Sequence, residues 1–487
     1  MQALGKTKNL LWGLLLLSVL ARFYHLGSPL IDHSSWRQAD TASISRNFYR
    51  GGFNLFYPQI DWRGRTPGYV ESEFPLFAFL VAIAYKVFGL RESLGRLLSI
   101  VFSIAATGML YLVAKRLFSK ETAFYSTVVF SVFPSSIYFG RAFMPDFMTI
   151  FVSLTAIYFL VLWFQSDRGA YLWLSGLLFS LAFLLKISFA HLLFIAAGAF
   201  WLKYRFWFLA KASWWLFLVT TILPSLFWYY HAHQLYLGTG LTFGIWNIGS
   251  DKWGNLEIWT DPAFYNKFIF TRLAQQNLTW PGFLLFLGGL IQPFKDKRPR
   301  LCYFWLLSLI LYGLVVAKGN WVHDYYQLPF LALAALTIGS LASSLFSSSG
   351  VTWKKTAVVV LLFCLPLFSF FRLRQIFRVP EWKQDYLELS KQIKENVPTQ
   401  ALLISIQESN DPTLLYLSDR KGWVKSAEQL PEEDWRRLAD GDLLYLTGLK
   451  RDSPGSSAKD ALRDFSSKVD TIFNNAKFFI GKTGRDG

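Results

Sequence analysis

Residues 171–202 read YLWLSGLLFSLAFLLKISFAHLLFIAAGAFWL, and only Lys186 in this stretch carries a full charge at neutral pH. A single helix of this length would measure about 48 Å at 1.5 Å per residue, whereas the hydrocarbon core of a bilayer is about 30 Å thick. We therefore predict two short spans with a turn near Lys186. Other long apolar stretches, such as residues 151–164, recur as far as Phe371. The sequence predicts an all-α polytopic membrane protein.

The composition of the whole chain agrees with this prediction. Of 487 residues, 53% are hydrophobic and 17% are charged, whereas soluble proteins carry about 25% charged residues. This composition excludes an ordinary soluble enzyme. The net charge of +17 arises in residues 1–372, which hold 31 Lys or Arg and 14 Asp or Glu; residues 373–487 hold 18 of each. Basic residues in short membrane loops record orientation, so no nucleic-acid partner is expected.

Five basic clusters lie in short loops, and the positive-inside rule places all of them on the cytoplasmic side. They are Lys6 and Lys8; Lys115, Arg116 and Lys120; Lys203, Arg205 and Lys211; Lys295, Lys297, Arg298 and Arg300; Lys354 and Lys355. Residues 10–20 could form a signal peptide or an uncleaved first span, and we favour the span because no small-x-small cleavage site follows the segment. With this span included, we count eleven spans. The other ten lie near residues 97–114, 121–139, 147–164, 171–185, 187–202, 213–230, 281–294, 301–317, 327–346 and 356–371.

The segment at residues 75–90 is short, carries Lys86 and begins with Pro75. Counting it as a span would place four of the five basic clusters outside. We predict a juxtamembrane helix that lies against the outer face. When each span moves the chain to the opposite side of the membrane, residues 27–96, 140–146, 231–280 and 318–326 lie outside. The tail, residues 373–487, alternates helical and strand-like patterns and is predicted to form a soluble extracytoplasmic α/β domain, separate from a membrane domain at residues 1–372.

Chemically reactive residues concentrate at the predicted outer face. Asp32 follows the first span directly and precedes a predicted helix that reaches about Tyr49, a position from which a carboxylate could deprotonate a hydroxyl. Asp146 and Glu73 are further outer-face carboxylates. Cations accompany them at Arg37, Arg96, Arg141 and Lys186, and His323, Tyr325 and Tyr326 belong to the same face. This combination suggests an anionic lipid-linked substrate whose phosphate the cations hold.

Each of these residues also has a simpler structural interpretation. Asp146 after Pro145 fits a helix start with a favourable dipole contact, and Asp32 fits a capping or loop charge. Arg96 and Lys186 fit basic residues that extend to the lipid headgroups. Tyr325 and Tyr326 fit an interfacial aromatic belt.

The order and spacing of five motifs resemble the bacterial members of glycosyltransferase family 39, which groups protein O-mannosyltransferases with the aminoarabinose transferases of lipid A. The motifs are Asp32 with Trp36-Arg37-Gln38-Ala39-Asp40-Thr41-Ala42, Glu73-Phe74-Pro75-Leu76, Gly140-Arg141-Ala142-Phe143-Met144-Pro145-Asp146, His323-Asp324-Tyr325-Tyr326-Gln327-Leu328-Pro329, and Asp411-Pro412-Thr413-Leu414-Leu415-Tyr416. The resemblance covers roughly residues 10–330 and these tail residues.

This resemblance implies the GT-C fold and an inverting sugar transfer from a polyprenyl-phosphate-linked donor. It implies Asp32 as the essential aspartate of the first outer loop, Asp146 as the aspartate of the next outer loop and Arg96 as the arginine before the second span. In the lipid A enzymes a lysine beside the Glu-Pro-Pro-Leu-like turn contacts the donor phosphate. Here that turn reads Glu73-Phe74-Pro75, so contact with the donor phosphate would pass to Lys186, Arg37 or Arg141. This departure from the family pattern argues against the lipid A reaction specifically.

The predicted function is transfer of a sugar to an acceptor hydroxyl of a glycan, lipid or protein on the extracytoplasmic face of the plasma (inner) membrane. Asp32 and Asp146 are the expected catalytic residues, and the expected donor- and phosphate-binding residues are Arg37, Glu73, Arg96, Arg141, Lys186, His323, Tyr325 and Tyr326. No cofactor is expected to be required, and a divalent metal is compatible with the chemistry but is not indicated. The alternative is a transporter or lipid-glycan flippase without transferase activity; it is disfavoured because charges gather at one face and no repeat is visible.

Overall fold

The computed structural model describes residues 2–245, 252–294, 296–348, 352–407, 411–426, 444–450 and 469–483, and only the backbone of residues 2–8. Among the predicted basic residues, Lys295 and the side chains of Lys6 and Lys8 lie outside this description. Contacts divide the chain into two compact units. Unit 1 comprises Met1–Leu26, Gly95–His233 and Gly244–Gln375, and unit 2 comprises Gly27–Leu94, Gln234–Phe243 and Ile376–Gly487.

Helices dominate the described chain. In chain order the α-helices are α1 Gln2–Ala21, α2 Ser35–Gly51, α3 Leu76–Phe88, α4 Glu92–Leu117, α5 Lys120–Val132, α6 Pro134–Phe139, α7 Asp146–Ser166, α8 Gly169–Leu185, α9 Leu193–Tyr204, α10 Ala212–Thr239, α11 Leu256–Thr260, α12 Pro262–Tyr265, α13 Thr279–Leu290, α14 Leu301–Val315, α15 Ala317–Val322, α16 Phe330–Ser347, α17 Trp353–Ile376, α18 Glu381–Asn396 and α19 Thr413–Ser418. Two 3₁₀ segments, Ile187–Leu192 and Arg205–Ala210, and a π-helix, Asn266–Leu278, join some of them.

Helices occupy all eleven apolar segments that the sequence indicates. Six described helical segments are long and apolar enough to cross a membrane: Glu92–Leu117, Asp146–Ser166, Ile187–Ala210, Ala212–Thr239, Phe330–Ser347 and Trp353–Ile376. Four shorter apolar helices, at Asn9–Ala21, Leu76–Phe88, Gly169–Leu185 and Leu301–Val315, fall below that length. The chain is therefore a multi-pass membrane protein, while the count of eleven crossings and the outer-face position of α3 stay predictions.

Two helix breaks show how local sequence sets these elements. The predicted turn near Lys186 is confirmed, because α8 ends at Leu185 and Lys186 has extended backbone angles before the 3₁₀ segment begins. The single helix predicted over residues 121–139 is wrong. It divides into α5 and α6 at Pro134, which lacks the N–H needed to continue α5 and is well suited to the first turn of α6.

Unit 1 relies on small residues where its helices approach closely. Gly339 of α16 lies against α5, where an added Cβ would be 2.1 Å from Ser126 Oγ, 2.7 Å from Ser126 N and 2.8 Å from the Thr122 carbonyl oxygen. Two of these neighbours are backbone atoms, so side-chain rotation alone cannot relieve the contact. Membrane helices pack closely in this way because lipid offers them no hydrophobic drive to associate.

Substituting Gly339 by Ala is therefore expected to destabilise the protein by about 1–3 kcal/mol through overpacking. The matched control is Gly108 of α4, where an added Cβ meets nothing within 4 Å. Gly108→Ala should be neutral or stabilising by up to about 1 kcal/mol, since Ala favours helix. Thermal melting of the detergent-purified variants measures both effects, and equal melting temperatures would contradict this packing account.

Unit 2 combines the described helices α2, α3, α18 and α19 with a sheet. Helices α2 and α3 enclose a core of Ile44, Phe48, Ile60, Val70, Ala78 and Ala82. The strands are β1 Leu402–Ile406, β2 Lys421–Lys425, β3 Leu444–Leu449, β4 Asp470–Asn474 and β5 Phe478–Lys482, in the order β2-β1-β3-β5-β4. Strand β1 pairs in parallel with β2 and β3, whereas β5 pairs antiparallel with β3 and β4. The predicted α/β character of the tail is confirmed.

Ion pairs within unit 2 fasten the tail to the segment after the first span. Asp61 is buried and binds Arg46 of α2 and Lys421 of β2, and their charges hold its pKa below the ordinary value although burial alone would raise it. Arg50 donates two hydrogen bonds of 2.8 Å to Asp419. The tail thus packs with residues 27–94 as one unit; the division at residues 372 and 373 stays a prediction.

Candidate functional site

A buried ion pair joins two helix ends in unit 1. Lys186 lies at the break after α8, and Asp146 is the first residue of α7. Lys186 Nζ donates to Asp146 Oδ1 over 2.6 Å, and both residues are at most 5% exposed. The carboxylate thus compensates a cation that would be costly to bury alone.

Aromatic side chains complete the surroundings of Lys186. Its Nζ lies 4.8 Å from the ring centre of Tyr326 and 5.1 Å from that of Tyr325. The His323 ring stacks on both tyrosines, with centroid distances of 5.1 and 5.7 Å. The structure therefore brings together five of the residues that the sequence predicts: Asp146, Lys186, His323, Tyr325 and Tyr326. Ring faces attract a cation electrostatically, so the two tyrosines help to orient the Lys186 ammonium group.

A chain of buried amides supports the tyrosine-bearing segment, and it was not predicted from the sequence. Asn277 Nδ2 donates to the Asp324 carbonyl over 2.9 Å, and Gln327 Nε2 donates to the Asn320 carbonyl over 2.9 Å. Tyr312 Oη donates to the Tyr326 carbonyl over 2.6 Å. The amides are separated by up to 50 positions in sequence, and no local pattern relates them.

Arg96 and Arg141 converge elsewhere in unit 1. Both are fully buried. Arg96 Nη1 donates to the carbonyl oxygens of His25 and Leu26, each over 3.2 Å, and Arg141 Nη2 donates to the His25 carbonyl over 3.1 Å. In these contacts the two guanidinium groups hold the turn that follows α1. Their role as phosphate-binding residues stays a prediction.

In unit 2, Asp32 lies in the loop that leads into α2. Its Oδ1 accepts a hydrogen bond of 2.6 Å from Gln38 Nε2, which also donates to the His33 carbonyl over 3.0 Å. Gln38 belongs to the first turns of α2, so this helix orients the carboxylate that precedes it. The sequence analysis quoted Gln38 within a motif but assigned it no role.

Arg37 and Glu73 form a second polar pair in unit 2. Arg37 Nη2 lies 3.1 Å from Glu73 Oε2, and the two side chains are 17% and 11% exposed. The Arg37 guanidinium also lies 5.1 Å from the ring centre of Phe243. These contacts fix one face of the guanidinium, and the predicted donor-binding role of both residues stays a prediction.

Asp40, one turn further along α2, carries an unusual protonation equilibrium. Burial raises its pKa from 3.8 to about 7, and the negative charges of Asp411 and Asp61 raise it further. The hydrogen bond from the Trp62 indole and the positive charge of Arg37 act in the opposite direction. Trp62 Nε1 donates to Asp40 Oδ1 over 2.8 Å. The burial that causes this shift depends on long-range packing, which no local sequence pattern displays, so Asp40 is not among the predicted site residues.

This raised pKa predicts a pH-dependent stability. Between pH 4 and 7 the folded chain keeps a proton on Asp40 that the unfolded chain has lost, so stability falls as the pH rises through this range. Asp40→Asn keeps the acceptor for Trp62 but removes the titration. Relative to wild type it should gain on the order of 1–3 kcal/mol between pH 5 and 8, since one pKa unit corresponds to about 1.4 kcal/mol.

Melting curves at pH 5 and pH 8 measure this difference. The exposed Asp470 of β4 supplies the control, because Asp470→Asn should follow the wild-type pH dependence. If the melting temperatures of wild type and Asp40→Asn fell by the same amount between pH 5 and pH 8, the prediction that buried Asp40 holds a proton in this range would be wrong.

Among the described residues, no group of three or more His, Cys, Asp or Glu side chains is arranged to hold a metal ion.

Sequence comparison gives two matches. The family model of dolichyl-phosphate-mannose-protein mannosyltransferases matches residues 72–230, a region that includes Asp146 and Lys186. An uncharacterized protein of Aquifex aeolicus (strain VF5) is 25% identical over 311 residues, which are 60% of this chain and 65% of that protein's length. The chain thus spans slightly less than two thirds of this relative.

Solved structures are similar over nearly the whole chain. ArnT from Cupriavidus metallidurans bound to undecaprenyl phosphate matches with a TM-score of 0.65 and 11% identity, over 97% of this chain and 98% of ArnT. The oligosaccharyltransferase of Archaeoglobus fulgidus matches with a TM-score of 0.56 and 12% identity, over 90% of this chain and 69% of that one. The archaeal enzyme AglB, in complex with an inhibitory peptide and a dolichol-phosphate, gives 0.54 and 11%, over 91% and 70%. The architecture and these matches identify the chain as a multi-pass membrane protein with the GT-C fold, similar to the glycosyltransferases of family 39.

Proposed function

We propose that the protein is a glycosyltransferase that moves a sugar from a polyprenyl-phosphate-linked donor to an acceptor hydroxyl. The observation that carries this proposal is the buried Lys186, which Asp146 and two tyrosine rings hold at a helix break. Such a cation suits an anionic group that approaches from the lipid. The family match over residues 72–230 supports the same reaction class.

The reaction is a single displacement at the anomeric carbon of the sugar. The acceptor oxygen forms a bond to this carbon while the bond from the carbon to the donor's phosphate oxygen breaks, so the configuration inverts. The electron pair of the broken bond stays on the polyprenyl phosphate, which leaves as an anion. Lys186 stabilises this anion by a charge-assisted hydrogen bond, and Asp146 and Tyr326 keep the ammonium group in position.

Asp32 is the proposed general base. A hydroxyl is a poor nucleophile at neutral pH, and a positioned carboxylate that accepts its proton contributes roughly a hundred- to ten-thousand-fold to the rate. The hydrogen bond from Gln38 to Oδ1 fixes the carboxylate, which is the proposed proton acceptor.

We propose the lipid carrier from the similar solved structures and the location from the sequence. The similar structures hold undecaprenyl phosphate in one case and a dolichol-phosphate in another, which supports a polyprenyl-phosphate donor here. The basic clusters of the sequence support a plasma (inner) membrane protein whose Asp32, Asp146 and C-terminal residues are extracytoplasmic.

Incubating the purified protein with a panel of polyprenyl-phosphate sugars tests the proposal. With an acceptor present, at least one donor should release free polyprenyl phosphate, and Lys186→Met should release it roughly ten- to a hundredfold more slowly. A transporter or flippase would move the lipid-linked sugar without releasing polyprenyl phosphate. Absence of release with every donor and acceptor, from protein that still binds polyprenyl phosphate, would contradict the proposal.

A further inference from the structure

We propose that Lys383, in the C-terminal tail, is a positioning residue for Asp32. This inference rests on the proposed function, because it assumes that Asp32 accepts the proton. It gives the tail a direct part in the reaction through contacts that lie entirely within unit 2.

Lys383 reaches the loop that carries Asp32. Its Nζ donates to Ser35 Oγ over 2.7 Å and lies 3.4 Å from the Asp32 carbonyl oxygen. Ser35 is the first residue of α2, so a single ammonium group contacts both ends of the turn 32–35. The two partners are 351 and 348 positions away from Lys383 in sequence.

The turn 32–35 needs such support. Ser34 has a left-handed backbone conformation with φ of 56°, which L-residues other than glycine adopt at some cost, and its side chain does not cap α2. Gln38 holds the turn from the helix side through Asp32 Oδ1 and the His33 carbonyl. Lys383 holds it from the tail side. Loss of the second contact would let the carboxylate move relative to α2.

Helix α18 can present Lys383 rigidly because several side chains fix it. Tyr386 is buried and its Oη donates to Gln407 Oε1 over 2.8 Å. Lys477 binds Asp385 and Glu388 of α18 over 3.2 and 2.8 Å. The position of Lys383 is therefore set by the tail's own packing.

The test compares three variants of the full-length protein. Lys383→Met keeps the aliphatic length and removes the ammonium group, Lys383→Arg keeps a cationic donor, and Lys391→Met changes an exposed lysine of the same helix. We expect Lys383→Met to lower kcat at least about tenfold, with the donor KM within twofold of wild type. Lys383→Arg should recover much of kcat, and Lys391→Met should match wild type.

A double variant separates positioning from a general structural effect. If Lys383 acts through Asp32, Lys383→Met should slow the enzyme little further once Asp32→Asn is present, because residues that act as a unit are not additive. If the double variant lost kcat by the product of the two single-variant losses, the inference would be overturned. A raised donor KM with unchanged kcat in Lys383→Met would also overturn it. The inference would also be overturned if Lys383→Arg lost as much melting temperature and as much kcat as Lys383→Met.

Failure of this inference can be told apart from failure of the proposed function. A slow Asp32→Asn with a wild-type Lys383→Met overturns the role of Lys383 alone. A fully active Asp32→Asn overturns the proposed roles of Asp32 and Lys383, while sugar transfer itself stands. Absence of polyprenyl phosphate release with every donor and acceptor would overturn the proposed function.

Discussion

Replacing Asp32 by Asn is expected to slow sugar transfer by about a hundredfold or more while donor binding is retained. Asn keeps the size of the side chain and an oxygen that can accept the hydrogen bond from Gln38, but it cannot take up the acceptor's proton. The loss should therefore fall on kcat and on kcat/KM alike, as expected for an interaction made only in the transition state.

Single-turnover transfer from a labelled polyprenyl-phosphate sugar measures this effect. Asp167→Asn is a suitable control, because that carboxylate is 68% exposed and pairs with Lys203 within unit 1. Full activity in Asp32→Asn together with an inactive Asp146→Asn would move the base to Asp146.

Replacing Lys186 by Met should have the second largest effect, a loss of roughly ten- to a hundredfold in turnover. A hydrogen bond to a charged group contributes about 1.5–3 kcal/mol, and the leaving phosphate would lose such a bond. Stability should fall too, because Asp146 would stay buried without its partner.

The chain contains a matched control for Lys186. Lys203 also pairs with a carboxylate over 2.6 Å, on Asp167, and lies 5.2 Å from the ring centre of Trp163. Lys203→Met removes an ion pair of the same length and a similar ring contact, although Asp167 is exposed where Asp146 is buried, and transfer should persist.

Stability and activity can be separated at the Lys186 pair. The double variant Lys186→Met with Asp146→Asn removes both charges, so it should regain much of the melting temperature lost in the single variant. Its transfer activity should stay low. Recovery of activity together with stability would show that Lys186 only maintains the fold.

The membrane architecture follows from local sequence because each apolar run must satisfy its own backbone hydrogen bonds within a helix. The turn at Lys186 was predictable for this reason, since a run of 32 residues is too long for one span. The break before Pro134 carries a local signal, the proline itself, but the continuous hydrophobicity of residues 121–139 hid it.

The candidate sites are only partly predictable. Lys186, Asp146, Tyr325 and Tyr326 were selected by residue type and predicted side, and their mutual contacts follow from helix packing that the sequence does not display. Lys383 carries no local signal at all, because its contact with Ser35 arises from the folding of the tail onto α2. The raised pKa of Asp40 likewise depends on burial by distant residues.

The most direct test of the central claim measures both products of one reaction. The wild-type protein in sealed proteoliposomes is given a polyprenyl-phosphate sugar carrying separate labels on sugar and lipid, together with an acceptor. One sugar on the acceptor for each polyprenyl phosphate released is the predicted result. Movement of intact donor between the leaflets, with no polyprenyl phosphate released and no labelled acceptor, would contradict the account.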